Sequence, residues 1–371
     1  MSTGTDIRRH AALARRSIDV IRANQHAGGA YLASPNFPVY RYSWLRDGAF
    51  IADAMSRAGA VDSAEAFFDW CARQLTDRTA QVASLLARRA SGAPADPGAF
   101  LPTRFTVEGG PSGEDWPDFQ LDGYGTWLWA VAAHARRHGR PVGPWLDGAL
   151  LSARYVAAFW DEPSYDWWEE HPEHRHGSTL AALHAGLQGV AGWQAVPPAE
   201  RATFQATADA IARAVTEDAA RLGRLAKWLG GRGVDGSLVA SGVAFGLLEP
   251  THPLMTATVR AIRHELVIDR GVHRYREDTY YGGGQWLLLA AMLGWHDALV
   301  GDQAQAWAQL DWVADHASPE GHLPEQVPDH LLAPAMEDHW LQAWGPVASP
   351  LLWSHAMYLT LALELGVVPD A

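Results

Sequence analysis

Apolar residues Ile7, Ala11, Ala14, Ile18 and Ile21 follow one another at spacings of four, three, four and three. That step keeps to one face of a helix and predicts an amphipathic helix over about residues 6–24. The same step predicts eleven more helices, at about 47–58, 62–76, 122–138, 144–160, 178–193, 198–219, 235–248, 254–267, 282–296, 301–316 and 348–366. Asp62 with Glu65 reads as a capping box and Pro197-Pro198 as a helix start. Strand-like signals are weak and confined to Thr103–Val107 and Arg224–Leu229, and Thr79–Arg89 has helical character of its own. The fold class is all-α.

The connections alternate. Long ones, at 25–46, 77–121, 161–177, 220–234, 268–281 and 317–347, follow the odd-numbered helices, and short ones follow the even-numbered. Short links join antiparallel neighbours, so all six long loops are expected to emerge on one face. Twelve helices running up and down close most economically as an inner ring of six inside an outer ring of six, an (α/α)6 barrel with a funnel at the loop-bearing end. No linker or low-complexity segment breaks the pattern, so residues 1–371 are expected to form a single domain.

Composition narrows the function. Hydrophobic residues make up 48% of the chain and charged residues 19%, which suits a large core and excludes disorder. A net charge of -13 with no basic run argues against a nucleic-acid partner. Cys71 is the sole cysteine, which rules out an intrachain disulfide and a thiolate-rich zinc site and suits a reducing compartment. No apolar run reaches the length of a signal peptide or a membrane span, so a cytoplasmic protein is expected. Eighteen tryptophans, many beside polar loops, point toward carbohydrate stacking.

The long loops carry the chemistry. The third runs Tyr165-Asp166-Trp167-Trp168-Glu169-Glu170-His171-Pro172-Glu173-His174-Arg175-His176, two indoles beside two carboxyls. A pyranose offers an apolar face to an indole and hydroxyls to carboxylates, and a carboxyl against an aromatic wall can keep its proton at neutral pH. The first loop holds Tyr40-Arg41-Tyr42-Ser43-Trp44-Leu45-Arg46-Asp47. Arg46 and Asp47 can bind sugar hydroxyls, or Asp47 can cap a helix with Arg46 in a surface pair. The second loop ends Trp116-Pro117-Asp118-Phe119-Gln120-Leu121-Asp122, and the fifth runs from Arg274 through Tyr280 to Trp286. The last supplies Pro324-Glu325-Gln326, in which Glu325 taken alone reads as a surface residue. Hydrolysis of a glycosidic bond needs two carboxyls, one protonated and one ionised, and the alternation puts Glu169 and Glu325 on the same rim.

In order along the chain, these strings resemble glycoside hydrolase family 15, the glucoamylase family. The resemblance rests on Tyr-x-Tyr-x-Trp-x-Arg-Asp at Tyr40–Asp47, Trp116 with Gln120-Leu-Asp-Gly, and Asp-x-Trp-Glu-Glu at Asp166–Glu170. It continues in Arg-Tyr-x-Glu-Asp-Thr-Tyr-Tyr at Arg274–Tyr281 and Pro-Glu-Gln at Pro324–Gln326. It implies an (α/α)6 catalytic domain and exo-hydrolysis of α-glucosides with inversion, without a cofactor or metal. Carried over, Glu169 is similar to the general acid and Glu325 to the general base. Tyr40, Trp44, Arg46, Asp47, Trp116, Trp168, Glu170, Arg274, Tyr280 and Trp286 match pocket-lining positions. The chemistry then predicts that burial and Glu170 raise the pKa of Glu169 while Glu325 stays ionised, with the two carboxyls roughly 6.5 to 9.5 Å apart.

About six residues precede the first predicted helix, so neither the N-terminal β-sandwich of the family's bacterial glucoamylases nor a carbohydrate-binding appendage is expected. In compactness the chain resembles the intracellular isomaltose glucohydrolases of that family, which implies short α-1,6-linked oligosaccharides as substrates. Maltose, maltooligosaccharides and trehalose remain alternatives. Two readings from other classes stand beside these. One is a non-catalytic sugar-binding protein on the same barrel. The other is a metal-dependent hydrolase built on His171, His174, His176 and Glu173, whose spacing lacks the zincin helix pattern and is interrupted by Pro172.

Overall fold

The computed structural model describes residues 4–93 and 96–367. Among them, fourteen helices form: α1 (Gly4–Ala23), α2 (Leu45–Arg57), α3 (Val61–Thr76), α4 (Thr79–Ala90), α5 (Asp122–His138), α6 (Leu146–Phe159) and α7 (Gly177–Ala191) in the first half. The second half adds α8 (Pro198–Leu222), α9 (Ala240–Val243), α10 (Pro253–Leu266), α11 (Leu287–Leu299), α12 (Gln303–Asp315), α13 (Glu337–Trp344) and α14 (Leu352–Glu364).

Six of them close a ring. α2 packs on α5, α5 on α7, α7 on α9, α9 on α11, α11 on α14, and α14 returns to α2. From outside, α1 packs on α14, α3 on α2, α6 on α5 and α7, α8 on α7, and α12 on α11. α10 packs on the 3-10 turn Gly236–Val239 that leads into α9. Hydrophobicity explains which helix goes where. Every residue of α11 from Leu287 to Asp297, and of α14 from Leu352 to Ala362, is buried, as a helix covered on all sides requires. α8 instead buries Phe204, Ala208, Ile211, Val215, Asp218 and Ala219, a single stripe at helical spacing. The result is the expected (α/α)6 barrel.

Departures from the predicted elements have physical reasons. The helix expected at 235–248 shrinks to the 3-10 turn and the single turn α9, because Gly236, Gly242 and Gly246 weaken helix propensity there. α4 forms over the segment that showed helical character. α13 was not foreseen: no residue in it is buried, so it has no core-facing stripe to betray it. Pro198 does open α8 at its first turn. Asp62 and Glu65 do not form a capping box: α3 begins at Val61 with no side-chain cap, Asp62 pairs with Arg22, and Glu65 pairs with Arg140. Of the two strand signals, Arg104–Phe105 pairs with Ser43–Trp44, whereas residues 224–229 make only an isolated bridge from Trp228 to His176.

The tightest helix contact in the inner ring lies between α5 and α7. A Cβ at Gly186 would lie 2.5 Å from the Gly125 carbonyl oxygen, and one at Gly125 would lie 2.8 Å from the Ala182 backbone. Backbone cannot step aside. Gly186→Ala would gain about 1 kcal/mol of helix propensity but incur an overpacking cost of about 1–3 kcal/mol. The expected outcome is a lower denaturation midpoint, and an unchanged or higher one would show that the two helices can separate without cost.

Candidate active site

The long connections bring the predicted side chains together because they are tied in pairs. Ser43–Trp44 pairs with Arg104–Phe105, linking the first connection to the second. The His176–Trp228 bridge links the third to the fourth. Gln285–Trp286 pairs with Gln326–Val327, linking the fifth to the sixth. At their centre is a cavity of about 370 Å³, at the small end of the range for small-molecule sites. Glu169, Glu325 and all ten residues predicted to line a pocket, Tyr40, Trp44, Arg46, Asp47, Trp116, Trp168, Glu170, Arg274, Tyr280 and Trp286, border it.

Glu169 sits in a turn organised by Asp166. The Asp166 Oδ1 accepts from the backbone N–H of Trp168 and of Glu170, both at 2.9 Å, and its carbonyl accepts from the Glu169 N–H at 3.0 Å. This places Glu169 at φ 67°, a left-handed conformation that a non-glycine residue adopts only when its surroundings enforce it. The Trp44 indole N–H donates to Glu169 Oε1 at 2.6 Å, and Arg46 stands 3.8 Å away. Burial lifts the Glu169 carboxyl to about 7 even against the pull of Arg46 and the Trp44 hydrogen bond. Glu170 is not among the leading causes of that shift, contrary to expectation. Its carboxylate turns to the Arg274 guanidinium at 3.3 Å and to the Tyr275 hydroxyl.

Glu325 arrives from the last connection, and α14 fixes its approach. Ser354 Oγ donates to the Pro324 carbonyl at 2.8 Å, and the Leu323 N–H donates to His355 Nε2 at 3.0 Å. Burial holds His355 down to about 3, so the ring stays neutral and Nε2 remains an acceptor. The Glu325 Oε1 accepts from the Tyr40 hydroxyl at 3.0 Å, and that hydroxyl also lies 2.9 Å from Tyr280 Oη. Oε2 has no partner among the described residues. Burial raises this carboxyl to about 8, offset only by the Tyr40 bond and a more distant Arg274. The expectation that Glu325 simply stays ionised is therefore corrected: both carboxyls are raised, and Glu325 the more so.

Tyr40 and Trp44 come from one loop, their rings 5.6 Å apart, and each bonds one of the two carboxyls. Arg46 is buried, donating to Gln120 at 2.8 Å and to Asp122 at 3.1 Å, with Asp47 at 3.3 Å. Asp47 lies within the first turn of α2 instead of capping it, and burial lifts its carboxyl to about 6. Arg46 Nε and Asp47 Oδ2 form an ion pair with each other at 3.3 Å but no hydrogen bond, and Trp116 Nε1 and Trp286 Nε1 are buried with no hydrogen-bond partner among the described residues. Native structures seldom leave such atoms unpaired, and those of Trp116, Trp286 and Glu325 belong to residues that line the cavity. Arg274 binds Asp278 through Nε at 2.8 Å and sits among the rings of Trp168, Tyr280 and Trp286, at 5.2, 5.2 and 5.3 Å.

Several residues of the site escaped sequence reasoning. Arg104 lies 3.5 Å from the Trp116 ring centroid and 4.2 Å from that of Tyr42, holding the wall of the pocket from behind. Trp340 and Trp344, from the unforeseen α13, line the cavity beside Tyr280, and Trp353 of α14 lines it together with Trp167, the first of the two indoles noted in the third loop. The only prior signal was the density of tryptophan in the last connection. The three histidines considered as metal ligands gather around the Trp228 ring, at 5.3, 4.1 and 6.1 Å. His174 stacks on Trp228 with ring centroids 4.1 Å apart, while His176 Nε2 bonds the His171 carbonyl at 2.9 Å. Among the described residues no group of three His, Cys, Asp or Glu is arranged to hold a metal ion.

Comparison with known proteins agrees with this geometry. The chain is 50% identical over 362 residues to an isomaltose glucohydrolase of Kribbella flavida, spanning 97% of this chain and 94% of the relative. A solved glycosidase superposes with a TM-score of 0.96 at 48% identity over the whole of both chains, and a variant of a glycosidase solved in complex with glucose matches equally well. Glucoamylase from Saccharomycopsis fibuligera shares the fold alone, with a TM-score of 0.72 at 14% identity over 98% of this chain and 95% of that one. Residues 7–311 match the description Glycosyl hydrolases family 15, and this chain, a glycoside hydrolase, belongs to that family.

Proposed function

We propose that this enzyme releases β-D-glucose, with inversion, from the non-reducing end of isomaltose and short α-1,6-linked gluco-oligosaccharides. The observation that carries the reading is a single small cavity holding two carboxyls of raised pKa, Glu325 buried and Glu169 half-buried, walled by indoles and lined by polar atoms without a hydrogen-bond partner. A sugar fits both halves of that description, with ring faces for the indoles and hydroxyls for Arg46 Nε and Asp47 Oδ2. Arg46 and Asp47 form a floor that admits a chain end and stops it. The likeness to an isomaltose glucohydrolase supports the linkage. A cytoplasmic site of action agrees with the sole, buried cysteine, and among the described residues no helix is long and apolar enough to cross a membrane.

In this mechanism protonated Glu169 donates to the departing glycosidic oxygen. Ionised Glu325 takes a proton from the water that attacks C1 on the opposite face, and Tyr40 orients that carboxylate. Glu170 and Arg274 steady the leaving sugar. Four outcomes are expected. Glucose should appear from isomaltose faster than from maltose, trehalose or soluble starch, and β-glucose should be the first anomer seen by proton NMR; α-glucose first would remove the inverting mechanism. Glu169→Ala and Glu325→Ala should each lower kcat roughly 10²–10⁴-fold, and a variant retaining full turnover would exclude that residue from the chemistry.

The proton donor must keep its proton and the base must lose its own, so kcat/KM should trace a bell against pH. Its limbs are expected near 7 and 8, the values to which burial raises the pair, and they belong to the pair jointly. A rate still rising at about pH 9 would contradict this. The same shift carries a stability consequence. The folded-state value of Glu325 lies above its ordinary 4.5, so its contribution is fully present below 4.5 and is lost as pH rises through about 8. Glu325→Gln cannot ionise. Its Tm should match the wild type at about pH 5 and exceed it at about pH 9, and a constant difference between the two would mean that ionisation of Glu325 is not what costs stability.

A further inference from the structure

The fourth long connection, residues 223–235, carries none of the motifs, yet it holds Lys227, the only lysine among the chain's 29 lysines and arginines. The side chain is 5% exposed. Its Nζ donates to Asp235 Oδ2 at 2.9 Å, forms an ion pair with Asp166 Oδ2 at 3.1 Å, and lies 3.4 Å from the Tyr275 ring centroid. Each partner leads to the cavity that Lys227 itself does not border. Asp166 ties the turn that carries Glu169, through the N–H groups of Trp168 and Glu170. Asp235 accepts from the Trp168 indole N–H at 3.0 Å. The Tyr275 hydroxyl donates to Glu170. One ammonium therefore pins the backbone before Glu169, the indole beside it and, through Tyr275, the carboxylate after it.

We propose that Lys227 is the positioning residue for proton donation by Glu169, a reading that rests on Glu169 being the general acid. The Glu169 backbone is held at φ 67°, so it depends on its surroundings to stay there. Asp166 supplies the restraint, and without the ammonium Asp166 and Asp235 would be two buried carboxylates sharing no cation. The choice of residue fits the place. A compact ammonium reaches two carboxylates and an aromatic face at once, whereas a planar guanidinium would present its donors in a fixed fork. Everywhere else in this chain the basic side chain is arginine.

The test compares isomaltose with α-D-glucosyl fluoride. With the fluoride, the C1–F bond breaks to release a stable anion, water adds to C1, and its proton passes to Glu325, so no proton from Glu169 is needed. Lys227→Met should lower kcat on isomaltose roughly 10²-fold, the cost of misplacing a reacting group by about 1 Å. On the fluoride its kcat should stay within a factor of about two. Lys227→Arg, which keeps the charge, should fall between wild type and Lys227→Met and carries the test if the methionine variant does not fold. A parallel loss on both substrates, or no loss on isomaltose, overturns the proposal. Glu169→Ala is the reference: losing isomaltose while keeping the fluoride supports Glu169 as the donor whatever Lys227 does, and losing both equally removes that reading instead.

Discussion

Desolvation of two carboxyl groups in one aromatic cavity is the constraint from which the rest of this structure follows. Bulk water would stabilise both anions better than the cavity walls do. Each carboxyl is therefore raised toward neutrality by the same physical cause, and only their neighbours tell them apart. Glu169 has a cation and an indole donor close by, while Glu325 has one phenol and an unpartnered oxygen. That asymmetry distinguishes two chemically identical groups, favouring the anion at Glu169 and the neutral form at Glu325 while the site is empty, so the proposed roles belong to the minor arrangement of one proton shared by the pair.

Holding such groups apart from solvent requires a rigid frame, and the ring supplies it. The inner helices bury every face, so they cannot shift without opening the core, and α5 and α7 approach so closely that only glycine fits. The two carboxyls that face the cavity nonetheless stand on loops. Short paired ribbons compensate: each tethers one loop to the next, and Trp44 and Trp286 lie within them. Three small tethers do what a longer sheet would do elsewhere. They set the separation of residues far apart in sequence to the accuracy of a hydrogen-bonded pair.

Much of this was legible in the chain because it depends on period and order. The stripe beginning at Ile7 and the alternation of long and short connections predict the double ring, and the motif residues predict the pocket. What was not legible depends on three-dimensional neighbours. α13 has no buried stripe, so nothing in its period marks it, although its Trp340 and Trp344 form a wall of the site. Arg104 and Lys227 look like ordinary surface cations until the fold shows them buried among rings and carboxylates. The order of the two raised carboxyls was also out of reach, since it depends on which hydrogen bonds survive burial.

The cavity also weakens the fold that holds it. Left-handed backbone at Glu169, an oxygen of Glu325 without a hydrogen-bond partner, and a carboxyl held far above its ordinary range each cost stability. Left-handed backbone and unpaired polar atoms occur elsewhere too, at Asp269, Arg270 and His330 and on Trp127 and Gln309, so neither feature alone marks the site. A barrel with so large an apolar core can carry them, but a sequence selected for stability alone would have replaced the two carboxyls with hydrocarbon. What sets this cavity apart is that both raised carboxyls face the same space, walled by indoles.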